Sequence, residues 1–218
     1  MSIKFFKVAF FAIILCFSTM IPQQITIMLD PAGDAQSAGR EIQDSFERGL
    51  TLQFVQELKN EIIQHYPNVR VILTRTPGET IQPMHNALFA NRLQPDLYLR
   101  IGFYFQPEIP THVTLFYACN HPNDFWQKIN SLQFFHIDQS HLLHLPTTKK
   151  LAHDFLKILQ NQQRNFMTHG AFAIPFKPFV GIQVPAIYLE AGLANPTDWN
   201  HLIRPVLNFI NSLTCKLS

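Results

Sequence analysis

Three carboxylates in this chain have types and neighbours that could do chemistry: Asp30 after the run "ITIML", Glu47 at the head of a helix-like segment, and Glu190 at the end of "PAIYLE". Carboxylates brought together can ligate a metal ion or take a proton from an attacking water. Each also has a plain structural use. Asp30 can cap a turn, Glu47 suits the positive end of a helix dipole, and Glu190 can simply be solvated. Ten histidines add candidate ligands, among them His121, His136, His141, His144 and His169. The spacing of the trio from 136 to 144 matches no metal motif, and it reads as a solvated loop.

The elements that must position these groups follow from periodicity. "ITIML" (25–29) reads as a strand ended by Asp30, Pro31 and a loop rich in Gly and Ala. From about Ser45 to His65, Leu50, Phe54, Val55, Leu58 and Ile62 recur at three- and four-residue spacings, which predicts a helix with one buried face. "NVRVILT" (68–74) reads as a strand, Met84 to Asn91 as a short helix, and "HVTLFYA" (112–118) as another strand. Between the last two, "LRIGFYF" (99–105) reads as the end of a buried strand running into a loop. Asn120 to Pro146 has weak periodicity and reads as an irregular insertion. Residues 147–163 predict a helix with Thr147 or Thr148 as cap. "PAIYLE" (185–190) is a buried strand, and the final helix carries Pro205, expected to kink or restart it. Strands alternating with helices imply an α/β fold: a single domain over 24–216, its central sheet mostly parallel or mixed, with helices on both faces. Ligands of such sheets bind beyond the strand ends.

The first twenty residues have the layout of an export signal. Lys4 and Lys7 precede an unbroken apolar run from Val8 to Phe17, too short for a comfortable membrane span. Residues 1–20 are therefore expected to be a signal peptide cut after Ser18, or an uncleaved anchor over residues 5–19, and the protein is expected in the periplasm or cell envelope. Membrane contact is expected only through this segment. Cys119 and Cys215 could pair or stay apart, and sequence alone leaves both open. A net charge of +2, with the basic residues scattered, gives no stripe for nucleic acid.

"ITIMLDPAGDAQSAG", "FERGLTL", "VRVILTRTPGE", "ALFANRLQPDLYLRIGF" and "VPAIYLEAGLANPTDW", in that order, resemble the successive blocks of the zinc-dependent N-acetylmuramoyl-L-alanine amidases, amidase type 3, which cut peptidoglycan. The resemblance implies the same α/β fold from about Ile25 to the C-terminal helix. In that family a His in D-P-G-H-G-G, a Glu opening the next helix and a His in S-I-H-x-N hold zinc. A Glu in L-x-E-x-G acts as general base. Three protein ligands leave a position where zinc acidifies a water, and the carboxylate takes its proton.

Carried over, the resemblance places Glu47 at the carboxylate ligand and Glu190 at the general base. The two His positions fall on Gly33 and Gly102, while Arg100 and Tyr104 replace the Ser and Asn around the second. Glycine offers no donor, so no cofactor is expected unless the site is rearranged to hold zinc, with Asp34 or a histidine of the insertion as replacement ligand. A salt bridge from Arg100 to Glu47 in place of the metal is a further expectation. Three functions follow: an exported peptidoglycan-binding protein, or one acting in wall turnover, without conventional zinc catalysis; an active amidase with a rearranged metal site; and a structural or partner-binding envelope protein. The partners implied are peptidoglycan or its peptide stem, and an envelope protein.

Overall fold

Among the described residues, six long strands, most of them apolar runs, and four α-helices make up the fold. The computed structural model describes residues 24–80, 82–119, 136–162 and 165–217. In chain order these are β1 (Ile25–Pro31), the two-residue strands β2 (Glu41–Ile42) and β3 (Ser45–Phe46), α1 (Glu47–His65), β4 (Val69–Leu73), α2 (Pro83–Leu93), β5 (Leu97–Phe105), β6 (His112–Ala118), α3 (Leu145–Asn161), β7 (Met167–Ile174), β8 (Ala186–Leu193) and α4 (Asn200–Leu217). The long strands form one sheet in the order β4-β1-β5-β8-β6-β7. It is mixed because β6 runs antiparallel to β8 while every other pair is parallel.

One face of the sheet carries the larger core. Phe54, Val55, Leu58 and Ile62 of α1 pack on Ile27, Leu29, Leu99 and Ile101, and α3 and α4 extend that layer over β6 and β8. The rings of Phe155 and Phe209 stack at 4.1 Å and join α3 to α4. Each such side chain contributes on the order of 1.5–3 kcal/mol by leaving water. The opposite face is covered by Ala87 and Ala90 of α2 and by Phe179, against Met28, Tyr98 and Tyr188. Helices thus cover both faces of a single α/β domain, as the alternation of elements predicts.

Several local expectations change. β5 continues to Phe105, so "LRIGFYF" is strand throughout, because β8 pairs with it as far as Leu193. Asp30 and Glu190 accordingly lie within strands rather than past them. Sequence periodicity gave no sign of β7, whose alternation is interrupted at Gly170, where the partner strand also shifts register. Helix α3 begins at Leu145, with Pro146 in its first turn, so neither Thr147 nor Thr148 caps it. Helix α4 runs through Pro205 without a break. Its stripe of Leu202, Val206, Phe209, Ile210 and Leu213 is buried on both sides of the proline, and that packing outweighs the hydrogen bond the proline cannot make. Within the region read as irregular, Ile137–His144 forms a 3-10 helix, while residues 120–135, with His121, lie outside the described residues. The leader reading over residues 1–20 lies outside them as well. No disulfide joins Cys119, which is buried, to Cys215, which is exposed.

Candidate functional site

The cleft is built by strand register. Gly102 of β5 lies opposite Glu190 of β8, Arg100 opposite Tyr188, and Tyr104 opposite Gly192. Side chains two apart along a strand share a face, so Tyr188 and Glu190 project to the same side as Gly102. Glu47 reaches this point from the other layer. As the first residue of α1 it sits at the helix N-terminus, and its Oε1 accepts a hydrogen bond from the Phe103 N–H at 3.0 Å.

A third residue joins the two glutamates. The β2–β3 hairpin pairs Glu41 with Phe46 and so returns the chain from Arg40 to Glu47. The Glu47 N–H donates to the Arg40 carbonyl at 2.8 Å, and the Arg40 N–H donates to Glu47 Oε2 at 3.2 Å. From that fixed backbone the guanidinium spans the cleft. Its Nε and Nη2 bond Glu47 Oε2 and Oε1 at 3.2 and 3.0 Å, Nη1 bonds Glu190 Oε1 at 2.8 Å, and Nη2 also donates to the Tyr188 hydroxyl at 3.1 Å. Burial alone would lower the Arg40 pKa, but the hydrogen bond and charge of Glu47 outweigh it and raise the pKa, so the cation is permanent. Burial, then the charge of Glu190, pushes the Tyr188 hydroxyl well above its ordinary value. It stays protonated and donates to Glu190 Oε1 at 2.9 Å.

Gly33 and Gly102, which the resemblance leads one to expect at the family's two His positions, leave no room for a larger side chain unless a neighbour shifts. A β-carbon on Gly102 would collide with the Tyr188 hydroxyl and lie 2.8 Å from two of its ring carbons. Gly33 adopts a left-handed φ of +75°, and a β-carbon there would lie 2.7 Å from the Arg48 β-carbon. Asp34 does not turn toward Glu47. Its Oδ1 accepts the backbone N–H groups of Gln36 and Ser37 at 2.9 and 2.7 Å, which closes its own loop.

Arg100 is also placed differently from expectation. It pairs with Asp30 rather than Glu47. Asp30 further accepts from Thr74 Oγ1 at 2.7 Å and Asn86 Nδ2 at 3.2 Å, on the sheet face next to the cleft. The reason is register: Asp30 and Arg100 are cross-strand partners of β1 and β5, while Glu47 meets β5 at Phe103, past the end of β1. The cation against Glu47 is Arg40.

Among the described residues, no three His, Cys, Asp or Glu side chains converge in a way that could hold a metal ion. His169 stacks on His112 at 4.6 Å. His112 Nδ1 faces the Pro110 carbonyl at 3.1 Å, which fixes the proton there and leaves Nε2 to accept from the Tyr104 hydroxyl at 2.6 Å. Two carboxylates bridged by a guanidinium, with no third such donor converging on them among the described residues, do not fit a zinc ion, which needs three or four donors.

Sequence reasoning missed Arg40 and Tyr188. Tyr188 was legible, since period two along β8 puts it beside Glu190. Arg40 carried no such signal, because only the fold of the short hairpin brings it to Glu47.

The family profile for N-acetylmuramoyl-L-alanine amidase matches residues 27–207. The chain belongs to this family. Among curated relatives, the N-acetylmuramoyl-L-alanine amidase CwlM of Bacillus licheniformis is 31% identical over 77 residues, 35% of this chain and 30% of that protein's length. Solved amidases share the fold at low identity. The N-acetylmuramoyl-L-alanine amidase of Clostridium difficile 630 superposes with a TM-score of 0.58 at 16% identity, covering 87% of this chain and 98% of its own. Ami1 of Mycobacterium smegmatis gives 0.60 at 13% identity, over 88% and 99%. The CwlD amidase of Clostridioides difficile, solved in complex with the GerS lipoprotein, gives 0.58 at 12% identity, over 89% and 100%.

Proposed function

We propose that this amidase-family protein is exported by its N-terminal segment and binds peptidoglycan at the cleft between Glu47 and Glu190 without zinc hydrolysis. One observation carries the reading. The Tyr188 side chain occupies the space in which a side chain at Gly102 would stand, which supports a cleft without the donor set of the family's zinc chemistry. Family membership supports the ligand class, since the family is named for an enzyme acting on the muramoyl-L-alanine linkage. An envelope protein partner is a further part of the proposal, supported by the CwlD relative solved with a lipoprotein.

The test mixes the purified mature chain with isolated peptidoglycan sacculi in the presence of zinc, beside an active amidase as control. Co-sedimentation with the sacculi and no release of N-terminal alanine peptides is the expected result. Chelator-sensitive peptide release would overturn the non-hydrolytic reading, and failure to sediment would overturn wall binding.

A further inference from the structure

We infer that Arg40 is the resident cation of this cleft, a tethered guanidinium standing between the two carboxylates where the family's chemistry uses a metal ion, and that it binds the neutral carbonyl oxygen of a ligand amide. The identity of that ligand rests on the wall-binding reading; the role of Arg40 as resident cation does not.

Hydrogen-bond accounting supports the assignment. A guanidinium has five N–H donors in a planar fork. In Arg40 the Nε–H and both Nη2–H groups go to Glu47 and Tyr188, and one Nη1–H goes to Glu190. One Nη1–H is left without a partner among the described residues. The Arg40 side chain is 42% exposed while Glu47 is 6% and Glu190 23%, so the cation forms the open side of the cluster. Its guanidinium also lies 5.1 Å from the centroid of the Tyr104 ring, which keeps it over the sheet. One cation against two carboxylates leaves one net negative charge, with Tyr188 neutral. Such a cluster repels free carboxylates and phosphates, and suits an uncharged carbonyl. A metal ion would have to displace a charge bonded to both glutamates before it could bind either.

The experiment compares wild type, Arg40→Lys and Arg40→Ala in two assays. Thermal unfolding is read with and without zinc, and affinity for N-acetylmuramoyl-L-alanine methylamide, whose alanine carboxyl is blocked and uncharged, is read by calorimetry. The expected pattern is no zinc-dependent change in the wild-type midpoint, because the guanidinium already occupies the space between the two carboxylates. For the amide probe, Arg40→Ala is expected to lose about tenfold or more in affinity, equivalent to about 1.4 kcal/mol. Arg40→Lys, which keeps the charge but not the fork, falls between. Zinc stabilisation of the wild type, or equal probe affinity in wild type and Arg40→Ala, would overturn the inference. If Arg40→Ala does not fold, wild type and Arg40→Lys still decide it: equal probe affinity in those two, or zinc stabilisation of either, counts against it. Wild type that binds sacculi while the arginine variants bind the probe unchanged would sink this inference alone. Wild type that binds neither sacculi nor probe would sink the wall-binding reading and the carbonyl role, and the zinc assay would still judge the tethered cation.

Discussion

Two arginine–carboxylate clusters lie side by side on this sheet, and they are built differently. Asp30 and Arg100 are cross-strand partners, with side chains 3% and 19% exposed, and Thr74 and Asn86 take up further bonds to the same carboxylate. Burial would lower the Arg100 pKa, but the charge of Asp30 raises it. Arg40 hangs from a hairpin, is 42% exposed, and bridges two carboxylates from different layers. The first cluster is anchored in the sheet, where Asp30 and Arg100 are cross-strand partners, and is closed by Thr74 just after β4 and by Asn86 of α2. The second is held by a loop at the edge of a cleft, where one partner can be exchanged for a ligand without unpairing a strand. An ion pair inside a fold and an ion pair in a binding site differ in what each partner is anchored to.

The largest test of that contrast is Asp30→Ala. Removing the carboxylate leaves a largely buried guanidinium without its counter-charge, and two neighbouring donors, from Thr74 and Asn86, without an acceptor. Breaking a buried pair from one side costs about 3–5 kcal/mol. Urea unfolding should show that loss, while sacculus binding by the fraction that remains folded is unchanged. A cost near zero would mean that water reaches Arg100 and that the two clusters are alike.

Much of this was legible beforehand, and the contrast explains what was not. α1 and α4 follow from apolar spacing, because each buries one stripe, while β1 and β6 follow from short apolar runs buried on both faces. Glu47 and Glu190 were singled out through the order of sequence blocks rather than from their own neighbours, and the structure brings both onto Arg40. The pairing of Arg100 was misread, since sequence shows that Arg100 and Glu47 lie in matching blocks but not which carboxylate the sheet register sets opposite. Reading "ITIMLD" and "LYLRI" as adjacent parallel strands would have paired Arg100 with Asp30. Arg40 was beyond reach, because its position depends on a hairpin of two-residue strands whose turn puts Gln43 at a left-handed φ of 52°. No periodicity marks so short an element.

A middle-sized effect is expected from Gly102→His, which introduces the residue type that the resemblance leads one to expect there. The new side chain must push the Tyr188 ring away from the strand, and forced overpacking of this kind costs about 1–3 kcal/mol. Adding Gly33→His compounds the cost, because position 33 holds a left-handed φ that a side chain resists. The double variant is expected to take up no stoichiometric zinc after desalting, measured by elemental analysis, unless Arg40 and Tyr188 are also replaced. Zinc in the double variant alone would show that the cleft opens readily to rebuild the metal site, and the contrast between a fixed cluster and an exchangeable one would extend to Tyr188 as well as Arg40.

The smallest effect belongs to Glu190→Gln, and it sharpens the contrast from the exposed side. Gln keeps an acceptor for Nη1 of Arg40 and for the Tyr188 hydroxyl, so only the charge is lost. Exposed and half-exposed pairs contribute a median of about 0–1 kcal/mol, and Arg40 keeps its bonds to Glu47. A change in unfolding free energy below about 0.5 kcal/mol is expected, shrinking further in high salt, because screening acts on charges that water can reach. The Asp30→Ala loss should persist in the same salt. If Glu190→Gln proves as costly as Asp30→Ala and equally insensitive to salt, the cleft pair is a structural clamp like its neighbour, and exchange of a partner for a ligand there would require the fold itself to yield.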